Sequence, residues 1–303
     1  MVEIKKENGS GSLPFSFIEE KEIASILPKR EKNSHKGSYG KALLLCGSEK
    51  YRGAAMLSLE SALRTGVGIA YLCSEASVVR DCCVRLPEGI YRETSPIRKL
   101  KLSQISDLTK EATAILIGCG CTVSERIGEL IIHLLEKDGA PLVIDADGIN
   151  SFSLFGASAL LALKKAKRQV VLTPHPAEMG RLCSLSTIEI QKDRERIAYE
   201  FAKEYNVTLV LKGNRSIVTN GEKILVDELG GPELAKGGSG DVLAGAVCSL
   251  LAQGKEPVSA AIAAVYLHSK SANALRKEYS EYGVCPSELP RQMAREIALI
   301  TGR

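Results

Sequence analysis

The chain has 303 residues, a quarter of them charged, with 45% hydrophobic residues and a formal net charge of only +4. Lys and Arg are spread along it, tryptophan is absent and other aromatics are few, so neither a nucleic-acid surface nor a base-stacking platform is implied. No apolar run reaches bilayer-spanning length, the N-terminus has no signal-peptide core, and the nine cysteines form no Cys-x-x-Cys pair, so a cytoplasmic protein with reduced thiols and no membrane association is expected.

Residues 1 to about 34 are polar, and Gly9-Ser-Gly-Ser12 suggests a flexible start over 1–15 before a single domain at 16–303. Residues 16–27 read as a short helix opened by Ser16 and stopped before Pro28. His35-Lys-Gly-Ser-Tyr-Gly40 follows, with His35 and Lys36 either surface charges or substrate contacts. Ala42-Leu-Leu-Leu-Cys46 is a short apolar run suited to a strand buried on both faces. Residues 53–63 are Ala/Leu-rich and helical, and 67–72 return to strand. Further strands are expected at 114–117, 142–145, 170–173 and 208–211, with helices between most of them, notably 124–137 and 188–205. Asn220-Gly221 inside 216–226 is a hairpin signal. The alternation predicts an α/β fold: a three-layer α/β/α arrangement around a mostly parallel sheet carrying one antiparallel hairpin.

In such sheets ligands lie beyond the carboxyl ends of the strands. Gly237-Gly-Ser-Gly-Asp241 runs into an apolar helix. Glycines at a helix N-terminus let backbone N–H groups approach an anion, which the helix dipole favours. A carboxylate beside a phosphate needs another task, such as taking a proton from a hydroxyl that attacks a phosphoryl group. A capped helix is the competing reading. Val143-Ile-Asp-Ala-Asp147 suits a metal or a substrate hydroxyl, or equally a capped loop. His175 between two prolines is held stiffly enough to face a ligand. Lys212-Gly-Asn-Arg-Ser216 suits an anionic nucleotide, or a solvated loop. Gly118-Cys-Gly120 lacks the third glycine of a dinucleotide fingerprint, and no P-loop motif occurs.

Five of these segments, in this order, resemble the NAD(P)H-hydrate dehydratase family, whose fold is ribokinase-like. They are 35–40, Gly47-Ser48 with Gly53-Ala-Ala55, Thr173-Pro-His-Pro-Ala-Glu178, 212–216, and Leu234-Ala-Lys-Gly-Gly-Ser-Gly-Asp-Val-Leu-Ala-Gly245. The resemblance implies repair of the S epimer of hydrated NADH or NADPH at the expense of ADP or ATP, with phosphorylation of the ring hydroxyl and elimination of phosphate. It implies Asp241 as catalytic base, also in contact with the substrate. Ala54, Gly120 and His175 would complete the pocket for the hydrated dinucleotide. The nucleotide would fall to Lys212, Gly213, Asn214, Arg215 and Ser216, with Gly237, Gly238, Ser239 and Gly240 at its phosphates. Mg2+ is implied as cofactor, without named ligands. A homotetramer is suggested, with epimerase activity on a separate chain, and ADP is favoured over ATP.

Three departures from the family pattern stand out. Gly118-Cys119-Gly120 replaces Gly-Pro-Gly, which is expected to alter stiffness rather than chemistry. Ala177 replaces a glycine, and 230–233 differs before the glycine turn. Two alternatives share the glycine–Asp site: a ribokinase-like kinase of a vitamin precursor, and a nucleotide-binding protein without turnover.

Overall fold

The computed structural model describes residues 13–302. Ten strands form one sheet: β1 (Phe15–Phe17), β2 (Lys41–Leu45), β3 (Ile69–Ser74), β4 (Ile90–Glu93), β5 (Ala114–Ile117), β6 (Leu142–Ile144), β7 (Val170–Leu172), β8 (Thr208–Leu211), β9 (Ile217–Thr219) and β10 (Ile224–Val226). Their order across the sheet is β1-β10-β9-β8-β7-β6-β5-β2-β3-β4. All pairings are parallel except β8 with β9 and β9 with β10. The mostly parallel sheet with its antiparallel hairpin is therefore as the alternation predicts.

The side-chain period of two divides each central strand between two cores. Ala42 and Leu44 of β2, Leu116 of β5 and Val143 of β6 enter one core; Leu43, Leu45, Ile117 and Ile144 enter the other. Helices 52–64, 239–252, 257–283 and 289–300 cover the first face. Helices 125–135, 157–164, 176–183 and 194–205 cover the second, giving three layers. Twelve of the fourteen residues of helix Ser239–Ala252 are buried. Its approach to helix Arg52–Arg64 is close: a Cβ added at Gly245 would stand 2.2 Å from the Ser58 carbonyl oxygen. Ser61 Oγ donates to the Val242 carbonyl (2.6 Å), and Ser249 Oγ to the Ala62 carbonyl (2.8 Å), so the hydroxyls at this tight seam are paired.

The chain runs outward from β2 through β3 to β4, returns to the other side of β2 with β5, and continues through β6, β7 and β8. The order thus reverses between β2 and β5, the point where an open α/β sheet leaves a crevice at its carboxyl ends. Cys46, Gly118, Asp145, Thr173 and Lys212 each follow one of these strands directly.

Several local expectations need correction. Phe15–Phe17 is a strand pairing with β10, and the helix begins only at Glu20, so Ser16 caps nothing. Residues 1–12 of the expected flexible start lie outside those described. The helix expected at 188–205 is two, Thr187–Lys192 and Arg194–Tyr205, broken at Asp193 (φ −149°, ψ 53°). β4 was not anticipated.

Candidate active site

A cavity of about 760 Å³ opens at the carboxyl ends of β6, β7 and β8. It is lined by Asp145, His175 and Glu178, by 212–216, by 238–241, and by residues of helix Pro257–Gly283. The glycine turn enters it at the start of helix Ser239–Ala252. Gly238 is left-handed (φ +106°), and a Cβ there would strike Leu57. Gly237 has open space where a side chain would be and does not itself line the cavity. Asp241 sits in the first turn of the helix. Burial raises its pKa to about 7, the Asp145 charge adds to the rise, and the Cys119 thiol and Lys212 oppose it.

Asp145, only 1% exposed, organises the floor. Its Oδ1 accepts from Thr173 Oγ1 and from Lys212 Nζ, both at 2.7 Å. Its Oδ2 accepts from Cys119 Sγ at 3.5 Å. The Asp145 pairing therefore holds an ammonium at the cavity wall. Burial works against the charge of Lys212, but Asp145 and Glu178 outweigh it and keep the pKa above its ordinary value. Lys212 reaches Glu178 Oε2 at 3.9 Å and stands 3.2 Å from a Cβ added at Gly240, which joins the β8 lysine to the glycine turn.

Of the two acids in 145–147, Asp145 faces the cavity, while Asp147 braces the loop after β5 by accepting from Thr122 N (2.9 Å). The Cys119 expectation also changes. Its thiol touches Asp145 and bears on Asp241, so replacing proline there adds a polar contact beside both acids rather than altering stiffness alone.

His175 caps helix Pro176–Cys183, its Nδ1 accepting from Ala177 N (3.1 Å) and Glu178 N (3.3 Å). That leaves Nε2–H to meet Glu178 Oε1 at 3.2 Å. Burial, then the Lys212 and Arg181 charges, lower its pKa, and Nδ1, accepting from two backbone N–H groups, carries no proton. The histidine both caps and borders the cavity. Ala177 supplies the N–H that the cap needs, so no glycine is required there.

The 212–216 loop turns through Gly213 (φ +146°) and the left-handed Arg215 (φ 58°). Arg194 ties it down by donating to the Asn214, Leu211 and Lys212 carbonyls. Arg215 also pairs with Glu228 at 3.4 Å. Ala54 and Gly120 lie against one another, a Cβ on Gly120 falling 2.7 Å from the Ala54 Cβ. They meet where β2 and β5 end, beside the cavity rather than in its lining.

Cys119, Asp145 and Asp241 bring one ligand atom each within 4.8 Å of one another. The two carboxylates suit Mg2+, which takes hard oxygen ligands; the thiol does not. Sequence reasoning left Asp145 undecided and passed over Thr173, Glu178 and His268. The Thr173-to-Glu178 segment carried a usable signal, because Glu three residues after a cap marks a capping box.

The His35 segment lies elsewhere. It precedes β2 at the amino end of the sheet, where His35 is exposed and Nδ1 accepts from Gly37 N (3.1 Å). The substrate-contact reading of His35 and Lys36 finds no support in this placement.

A family model described as NAD(P)H-hydrate dehydratase matches residues 42–295. The chain is 34% identical over 275 residues to the ADP-dependent (S)-NAD(P)H-hydrate dehydratase of Bacillus subtilis, covering 90% of this chain and 94% of that one. The crystal structure of the Bacillus subtilis ADP/ATP-dependent NAD(P)H-hydrate dehydratase, co-crystallised with ATP and Mg2+, superposes with a TM-score of 0.83 at 30% identity, over 96% of this chain and all of that one. A ribokinase-like superfamily protein from Enterococcus faecalis shares the fold, with a TM-score of 0.83 at 24% identity over 98% of this chain and all of that one. A match of this extent, around a glycine turn, lysine and aspartate gathered at the carboxyl rim of the sheet, places the chain in the NAD(P)H-hydrate dehydratase family.

Proposed function

We propose that the cavity holds ADP or ATP with its phosphates between Lys212 and the 237–240 turn, and that Asp241 faces the hydroxyl of a hydrated nicotinamide ring. The protein is a nucleotide-dependent dehydratase restoring NADH or NADPH from the S epimer of its hydrate. One observation carries the reading: Asp241 lies in the first turn of the helix whose N-terminus opens onto the cavity, beside Lys212. Its raised pKa leaves a carboxylate basic enough to take the hydroxyl proton near neutral pH. The oxygen so freed attacks the terminal phosphorus, and the bond to the departing nucleotide breaks. Phosphate then leaves the ring carbon with its oxygen, and a proton leaves the neighbouring carbon, which restores the double bond.

Lys212 and the backbone N–H groups of the turn balance charge on the moving phosphoryl group. When bound, Mg2+ would draw charge from the phosphates, and of the carboxylates gathered here Asp145 would hold it, leaving Asp241 free to take the proton. His175, Ala54 and Gly120 serve the hydrated ring and its dinucleotide. Residues 213–216 serve the nucleotide.

ADP is the favoured phosphoryl source, supported by the relative named ADP-dependent. We assign the epimerase step to another chain, a reading supported by the relative named for the dehydratase alone. One domain at 16–303, a homotetramer and a cytoplasmic location complete the reading. The single continuous sheet supports the first, and among the described residues no helix is long and apolar enough to cross a membrane. The test is to incubate the protein with hydrated NADH and either nucleotide while following the absorbance of reduced cofactor. Recovery is expected; a stable phosphorylated product without recovery would make it a kinase.

A further inference from the structure

Helix Pro257–Gly283 turns Val265, His268 and Ser269 toward the cavity, a spacing that places all three on one face. His268 is only 6% exposed. Its Nε2 is buried without a hydrogen-bond partner, and so is the neighbouring Ser239 hydroxyl. Buried polar groups are nearly always paired, and one left unpaired is costly. Two orphans bordering one cavity point to partners that arrive with a ligand.

The ring's other nitrogen fixes what the ligand must offer. His268 meets the Ser239 backbone in a contact that favours the charged ring, as a carbonyl does and an N–H does not; with Nε2 left without a partner, Nδ1 is the nitrogen that faces that carbonyl and carries the proton. Burial nevertheless pushes the pKa of His268 down to about 4, with Lys212 adding to the fall, so the ring is neutral at pH 7. A neutral imidazole whose Nδ1 carries the proton has a bare lone pair on Nε2. That nitrogen needs a donor, which a phosphate oxygen cannot be.

Position narrows the donor further. Ser239 and Lys212 bear on His268 and line the cavity with it and the glycine turn, and these groups suit phosphates. Leu229, Leu234 and Val265 line the same cavity and give it an apolar part that suits a flat base. Between phosphate and base a nucleotide carries its ribose, whose hydroxyls are donors. Resting on the nucleotide reading above, we propose that His268 Nε2 accepts a hydrogen bond from a ribose hydroxyl of the bound nucleotide and makes the site selective for ribonucleotides.

The experiment compares binding of ADP, 2′-deoxy-ADP and 3′-deoxy-ADP to the full chain by calorimetry. Wild type should bind ADP about tenfold or more tightly than at least one deoxy analogue, the loss expected when a buried acceptor is left unpaired. In His268→Leu the three ligands should bind alike, at the weaker level. His268→Gln, which keeps an acceptor oxygen, should recover part of the preference. A merely structural histidine would weaken all three ligands together and keep their ratio. Equal wild-type affinity for all three would overturn this assignment while leaving the nucleotide reading intact. So would full discrimination in His268→Leu or, should that variant not fold, in a folded His268→Phe. A wild type that binds no ADP would overturn both.

Discussion

The two rims of the sheet use the same residues for opposite purposes. At the amino rim, His35-Lys-Gly-Ser-Tyr-Gly40 is packed shut: a Cβ on Gly40 would stand 1.7 Å from the Ala252 carbonyl oxygen, and one on Gly68 1.8 Å from that of Lys36. At the carboxyl rim, a Cβ on Gly237 would meet nothing, Gly238 and Gly240 line a cavity, and His175, His268, Lys212 and three acids stand around it. One rim uses glycine to bring backbones together, the other to leave room for a ligand. The histidines follow suit. His35 caps an exposed turn, whereas His175 caps a helix and borders the cavity while the Lys212 charge bears on it. A motif of glycine, histidine and lysine says little until the strand end that carries it is known.

The largest expected effect lies at the closed rim. Gly40→Ala combines a left-handed φ of +73° with a backbone collision, and should destabilise the fold by about 2–6 kcal/mol. Thermal melts would register this, while turnover per folded molecule stays near wild type. A large loss of turnover without loss of stability would break the division between rims.

The pH dependence sharpens the open rim. Asp241 has a raised pKa of about 7 and must be ionised to act, so activity is present above that value and lost as the pH falls through it. Initial rates should therefore show kcat/KM falling about tenfold per pH unit below 7. An acid limb near the ordinary carboxylate value would mean that Asp145 and burial do not govern the base.

The smallest effect is at Gly237, where an added methyl meets nothing. Gly237→Ala should leave the melting temperature unchanged and weaken ADP binding by roughly three- to tenfold, about 0.6–1.4 kcal/mol. Unchanged ADP affinity would place the phosphates elsewhere.

Much of this arrangement was legible in the residues, for identifiable reasons. β2 and β5 to β8 are apolar runs because helices cover both faces, and Asn220-Gly221 marks the hairpin through the left-handed Gly221 (φ +80°). β4 escaped notice because Ile90–Glu93 is a half-exposed edge strand whose polar residues mask its periodicity. β1 was hidden because Phe15–Phe17 has three residues, all exposed, and its strand state depends on β10 arriving from more than 200 residues away. Within the site, Lys212, Asp241 and the glycine turn are contiguous with recognisable local chemistry. Asp145 gains its role only from Thr173, Lys212 and Cys119, which three other strands deliver. His268 is a histidine inside a long helix, and nothing in its neighbourhood in sequence marks the cavity it meets.

Everything proposed for the open rim turns on Asp241 being a base working on a hydroxyl, not a helix cap. The most direct measurement is the rate at which Asp241→Asn restores reduced cofactor from hydrated NADH and ADP, paired with its affinity for ADP. A fall in kcat of about 10²–10⁴-fold is expected, with ADP binding changed little. Turnover within a few-fold of wild type, at unchanged ADP affinity, would contradict it.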